Sequence, residues 1–465
     1  MSSQKFTCEK VITGIVVLAD RMIDDGFVAI NQGLVVAVGS AEEGVPEANE
    51  VIDYRDSYIF PGAIDAQVHS RSQKDNEDFI WSTKAAAAGG VTTIVDMPYD
   101  AGRLICNEAL FNLKRAEAEA QVRVDFALYG TVHPEEGKQH LAAMAQAGAI
   151  GFKFSSFGTD AQRFPRIAPH MLHECFSEIA SLGLIAGVHN ENDESVKFLI
   201  EKLKQENITD YRAHNLSRPR YTENIASAEV YELGAETGCR AHIVHCSNGR
   251  GIQLCKSYRD QGYDVTVETC LHYLTLSEEE DVARLVGKAK INPPVRQKAE
   301  REALWQHLEQ GNITVLSTDH VSWSLDRKQS ANMFENASGA SGLELLVTLA
   351  LTGAEQRNVA FHHLAKVLSY NAARLFKLDN CKGALECGKD ADLIIIKRDP
   401  YIYSAAASGN NFSGWSPYDG REIYYRVERT MLRGEWVYAD NVVTAEPGNG
   451  QFVSPQTRRQ EPGTC

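Results

Sequence analysis

Phe60-Pro61-Gly62-Ala63-Ile64-Asp65-Ala66-Gln67-Val68-His69 is the stretch at which the chain changes character. Before it, short apolar runs at 11–18, 27–30 and 34–38 are separated by the turn residues Asp24-Asp25-Gly26 and Gln32-Gly33. These are hairpin signals. After it, apolar β-rich runs alternate with helical stretches. The runs fall at 63–69, 91–97, 124–129, 149–154, 184–189, 241–245, 265–269 and 313–319, with helix-like segments such as 78–88 and 227–237 between them. Near-continuous apolar strands alternating with helices predict a parallel sheet covered on both faces. Eight such units over about 260 residues have the size of a (β/α)8 TIM barrel. An open doubly wound sheet is the alternative, and neither a GxGxxG nor a P-loop supports it.

Beyond the barrel, residues 371–376 read as helical. Strand signals then return at 393–396 and 430–432, and Gly434 turns into 436–438. An α/β chain that begins and ends in hairpins around a barrel is expected to pair them into one small β-sandwich domain. The expected division is 1–58 for the first part of the small β domain, 59–378 for the barrel, 379–444 for the second part and 445–465 for a C-terminal tail. That tail is rich in Pro, Gly and Gln and is expected to be an extended arm or disordered.

A length of 465 residues suits one large domain plus a smaller one. Hydrophobic residues at 43% and charged residues at 23% are ordinary for a globular protein. The net charge of -15 argues against nucleic acid as a partner. It leaves an anionic small substrate open, because one local cation can override the global field. No run of eighteen apolar residues occurs, and the start carries no secretory pattern, so no membrane partner is expected. Ten cysteines scattered without a CxxC pair predict reduced thiols and a cytoplasmic protein.

Chemistry in a TIM barrel sits at the C-terminal strand ends. In the first strand, Gln67 and His69 share a face that points into the barrel. Other runs end on Lys153, His189, His245 and Asp319. Imidazoles and carboxylates suit zinc or manganese. A buried Lys is costly unless its charge is removed or paired, so Lys153 either does chemistry or pairs with a carboxylate such as Asp319. The loop 158–166 is expected to shape the pocket, with Phe157 and Phe164 as apolar walls. The remaining histidines read as surface or packing residues, with His320 pointing away from Asp319.

On these residues the chain resembles the amidohydrolase superfamily, in its hydantoinase, dihydropyrimidinase and allantoinase branch. The resemblance also rests on Gly90-Val91-Thr92-Thr93-Ile94, Gly151-Phe152-Lys153, Val244-His245-Cys246-Ser247, Asn292-Pro293-Pro294-Val295-Arg296, Ser317-Thr318-Asp319-His320 and Gly450-Gln451-Phe452-Val453. It implies hydrolysis of a cyclic amide C–N bond, in a hydantoin-, allantoin- or dihydropyrimidine-like ring, by metal-activated hydroxide. Lys153 would carry carbon dioxide as N6-carboxylysine and bridge two metals. His189 and His245 would bind one metal, and His69, Asp319 and the Gln67 position the other. Asp319 would serve as catalytic base and then acid. Asn292 and Ser338 match places that grip the ring. Zinc, one or two ions, is the implied cofactor, with manganese as a substitute. Family members assemble as dimers or tetramers, so a homodimer or homotetramer is implied.

The chain departs from the family at three points. Gln67 stands where the family has histidine, and an amide oxygen is a weaker, neutral ligand. Gln67 could bind a softened first metal, the site could run on one metal at His189 and His245, or catalysis could be lost. Retained catalysis is favoured because five of six expected ligands remain. Gly158 replaces a tyrosine of dihydropyrimidinases. Arg71, in His69-Ser70-Arg71, resembles the H-x-R of dihydroorotases and is a candidate to bind a substrate carboxylate; its alternative is a pairing with an acid such as Asp75. The competing functions are a metal-poor assembly scaffold and an amidohydrolase for an open-chain or anionic amide.

Overall fold

The protein is described here by a computed structural model covering residues 7–73 and 77–457. Asp75 lies outside the described residues. Four N-terminal strands, β1 (Thr7–Val17), β2 (Met22–Asn31), β3 (Leu34–Ser40) and β4 (Glu47–Pro61), lead directly into the barrel. The barrel strands are β5 (Ala63–His69), β6 (Val91–Asp96), β7 (Asp125–Leu128), β8 (Gly151–Ser155), β9 (Ile185–His189), β10 (Arg240–Ile243), β11 (Val265–Cys270) and β12 (Val315–Ser317). Each falls on one of the eight apolar runs. Four C-terminal strands follow: β13 (Leu393–Ile402), β14 (Glu422–Leu432), β15 (Glu435–Ala439) and β16 (Val442–Val443).

All barrel pairings are parallel. A bridge from Gly130 to Phe152 joins β7 to β8. The ring closes where the two-residue strand His320–Val321, just past β12, pairs with Val68 and His69. The small domain takes strands from both chain ends, in the order β16-β15-β14-β13-β4-β1-β2-β3. Its strands bury both faces. Ile12, Val28 and Ile30 enter one apolar cluster, and Val11, Phe27 and Ala29 enter another.

The Pro61-Gly62 step connects the two parts. Tyr58 to Pro61 pair with β13, and Gly62 N donates to Asp392 O at 2.8 Å. A Cβ at Gly62 would stand 2.2 Å from Thr92 Oγ1, so this close approach admits only glycine. Helix starts are marked locally. Asn107, Asn192 and Asn248 side chains accept from the backbone N–H of Leu110, Ser195 and Gly251, as N-caps do. The helix Asp78–Ala88 coincides with its sequence expectation, and Arg220–Thr237 extends a turn and more upstream of the expected 227–237.

Below the barrel, the buried Lys382 ammonium sits 2.6 Å from Asp125, 2.8 Å from Asp390 and 2.7 Å from Asp392. This acidic cluster is therefore already filled by a cation. It ties β7 to the approach of β13. The tail as far as residue 457 is an ordered arm: Phe126 N donates to Gln451 O and Val453 N to Phe126 O, while Phe452 packs on Phe111 and Phe126. Among the described residues eight cysteines are free and buried.

A Cβ at Gly450 would lie 1.9 Å from Val124 O, so the arm can dock only with glycine there. Gly450→Ala is expected to lower stability by about 1–3 kcal/mol, the range for forced overpacking. A thermal melt against the unaltered protein measures this, and an unchanged Tm would mean that the arm carries no load.

Candidate active site

A cavity of about 500 Å³ opens at the C-terminal ends of the barrel strands. Gln67, His69, Lys153, His189, His245 and Asp319 all line it. So do Phe157, Phe164, Asn292 and Ser338. Strand geometry accounts for the convergence. Parallel strands of a closed ring end at the same mouth, and Gln67 and His69 are two apart on β5 and so face the same way.

The polar groups form two clusters. In the first, Asp319 Oδ1 accepts from Gln67 Nε2 at 2.7 Å and lies 3.3 Å from His69 Nε2. Gln67 is 1% exposed, and its Oε1 has no hydrogen-bond partner. In the second, His189 Nδ1 lies 2.9 Å from His245 Nε2, and His189 Nε2 lies 2.9 Å from Glu191 Oε2. Glu191 fixes the proton on Nε2, which turns the Nδ1 lone pair toward His245. Arg218 Nε, 3.2 Å from Glu191 Oε1, keeps that carboxylate charged. Burial, with His189 and Lys153 beside it, holds the His245 imidazole neutral, well below its ordinary pKa. His245 and Asp319 both have left-handed backbone, at φ 43° and 48°. Such strain in non-glycine residues persists where the surroundings impose it.

Lys153 belongs to neither cluster by direct contact. Its Nζ donates to Phe154 O at 3.3 Å, and its own carbonyl is clamped by Thr131 Oγ1 at 2.6 Å and Tyr99 OH at 3.2 Å. Burial pulls the Lys153 amine down to about 7, opposed by the charges of Asp319 and Glu268. The direct ion pair with Asp319, the alternative weighed from sequence, does not form among the described contacts.

Arg71 takes the second of the two readings given from sequence, pairing with acids. It does not line the cavity. Its guanidinium bonds Asp78 at 2.7 Å, pairs with Glu117, and lies 3.7 Å from Asp100 and over the Phe79 ring. Asp78, Glu117 and Asp100 thus surround it with negative charge. His320 behaves as expected, with Nε2 on Glu77 at 2.8 Å. His272 is buried but outside the cavity lining, and burial pulls it down to about 4. The sequence reading missed Glu191 and Arg218, which brace His189, and Glu268, whose Oε1 accepts from Ser317 Oγ at 2.7 Å. Asn190-Glu191, directly after a strand-end histidine, was the available signal for Glu191.

A (β/α)8 barrel that gathers imidazoles, a carboxylate and an amine at its mouth has the architecture of metal-assisted hydrolases. The chain belongs to the amidohydrolase family, whose profile matches residues 58–437, and to its cyclic amidohydrolase branch. It is 37% identical to an allantoinase of Rubrobacter xylanophilus over 93% of this chain and 95% of that one. It is 31% identical to an L-hydantoinase of Paenarthrobacter aurescens over 96% of each. The solved L-hydantoinase from Arthrobacter aurescens superposes with a TM-score of 0.92 at 30% identity, covering 96% of this chain and all of that one.

Replacing Arg71 by Gln should lower Tm, since it strips a cation from partly buried carboxylates, while leaving KM for a hydantoin that bears a carboxylate unchanged. A several-fold rise in KM at undiminished stability would return Arg71 to the substrate.

Proposed function

We propose that the protein hydrolyses a C–N bond of a cyclic ureide, hydantoin-, allantoin- or dihydropyrimidine-like, at this cavity with the help of a divalent cation. The observation that carries the reading is the pair of inward-facing nitrogens, His189 Nδ1 and His245 Nε2 at 2.9 Å. Two imidazole lone pairs held this close repel unless a cation or proton lies between them. Gln67 Oε1 is a second orphaned acceptor in the buried wall. These residues fit a metal: His189, His245 and Lys153 around one position, and His69, Asp319 and the Gln67 oxygen around another.

Zinc, one or two ions, with manganese as substitute, would polarise the ring carbonyl and acidify a water there. Lys153 is suited to serve as N6-carboxylysine. A neutral amine attacks carbon dioxide and loses its proton, and burial already favours the neutral form. Asp319 accepts the water proton and returns it to the leaving ring nitrogen. Gln67 and His69 both hold its Oδ1, which leaves Oδ2 for the proton. Glu191 and Arg218 keep His189 in one tautomer. Asn292 Oδ1, buried without a partner, can accept a ring N–H, and Phe157 and Phe164 cover the ring.

The chain is also proposed to self-associate as a homodimer or homotetramer, supported by the exposed apolar residues Phe198, Leu216, Tyr221 and Ile225. A cytoplasmic location is proposed on the eight free buried thiols.

The test is metal content and turnover after growth with zinc or manganese and bicarbonate, screened on hydantoins, dihydrouracil, allantoin, dihydroorotate and cyclic imides. One or two metals per chain with ring opening is the expected result. A metal-free chain without turnover would point to a scaffold. Lys153→Ala is expected to abolish activity, and full retention would overturn its role. Glu191→Gln is expected to weaken metal affinity about tenfold to a hundredfold, as loss of such supporting groups does, measured by metal titration.

A further inference from the structure

The rim of the cavity is positively charged, although the chain as a whole carries -15. One of the rim cations, Arg163, forms no ion pair among the described residues, although Asp100 and Asp160 lie in its field. It stands on the loop after β8. Asp160 Oδ1 accepts from the backbone N–H of Gln162 at 2.9 Å and of Arg163 at 2.8 Å, and Phe164 N donates to Asp160 O at 2.9 Å. This turn fixes the backbone at Arg163. Its Nε donates to Tyr99 O at 3.0 Å. Its guanidinium lies 5.0 Å from the Phe164 ring centroid and 5.9 Å from that of Trp323. The stack orients the planar fork, whose two outer nitrogens form no ion pair among the described residues.

Nearby acids are engaged elsewhere. Asp100 contacts Lys114 Nζ at 2.5 Å and Arg103 at 3.3 Å, and Asp160 faces backbone amides. Burial pulls the Arg163 guanidinium down to about 10. Other cations on the wall are already satisfied. Arg218 is held by Glu191, and Lys290 Nζ bonds the carbonyls of Phe334 and Asn336. Arg327 adds a second positive charge, 5.0 Å from the Trp323 ring centroid.

We infer that the preferred substrate is a cyclic ureide whose ring substituent ends in a carboxylate, and that Arg163 binds that carboxylate. The inference rests on the ring-opening function proposed above and adds to it the class of substituent. A guanidinium fork pre-oriented by aromatic stacking and in contact with no carboxylate among the described residues matches a substrate carboxylate bidentately. Asp319 would repel the same group, so the substituent must point outward to the rim while the amide bond stays inside. Arg71, the residue to which the sequence pointed, is neutralised within the fold, and Arg163 takes the role proposed for it.

The test compares 5-carboxymethylhydantoin with its neutral isostere, 5-carbamoylmethylhydantoin, on the metal-loaded full-length protein. The acid should have a kcat/KM higher by about tenfold or more, mainly through KM, and the gap should shrink with added salt. Arg163→Gln should raise KM for the acid by about tenfold to a hundredfold and change the amide less than threefold. Arg163→Lys should fall between. Equal kinetics for acid and amide in the unaltered protein, or an equal loss on both in Arg163→Gln, would overturn the inference. Calorimetric binding separates the two readings should neither ring open. Tight acid binding lost in Arg163→Gln keeps the anion site while the catalytic reading fails; equal binding to both proteins removes the anion site.

Discussion

The seam where the barrel closes on itself sets the position of everything at its mouth. Asp65 on β5 accepts from Thr318 Oγ1 at 2.5 Å and from Thr318 N at 3.1 Å. His320 and Val321 then pair with Val68 and His69. Asp319 lies between these two attachments, in left-handed backbone, and its carboxylate has no freedom but to face Gln67 and His69. A buried acid is itself costly, and burial raises Asp65 to about 7. The seam thus depends on a group that is stable there because it is hydrogen-bonded on both oxygens.

Three buried lysines show how surroundings divide structure from chemistry. Lys382 touches three carboxylates, and they hold it firmly charged. Lys114 bonds Asp96 at 2.6 Å and Asp100 at 2.5 Å and is likewise held charged. Both are braces. Lys153 has two acids in its field but none in contact, so burial prevails and the amine is pulled toward neutrality. The same side chain in the same low-dielectric interior is held charged or drawn toward neutrality depending on whether a carboxylate reaches its nitrogen.

The barrel was legible because each of its strands is buried on both faces and therefore reads as an apolar run. The cavity residues were legible as the polar residues that end such runs: Lys153, His189, His245 and Asp319. The small sheet was legible as hairpins, but the pairing of β4 with β13 joins residues more than 300 positions apart, and no local pattern encodes it. For Arg71 the sequence left a substrate carboxylate and a protein acid both open, and Glu117 and Asp78 reach it from two helices.

Sequence alone determined the element order, the parallel barrel and the identity of the groups that end its strands, because periodicity and burial are written locally. Tertiary structure alone decided which charges remain uncompensated. Arg71, Lys114 and Lys382 are quenched by acids that the fold brings into contact, some near in sequence and some, such as Glu117 and Asp125, remote, and among the described residues no carboxylate touches Arg163 or Lys153. Electrostatic environment depends on distances between chain-remote groups in a medium of low dielectric, and the linear order of residues does not contain those distances.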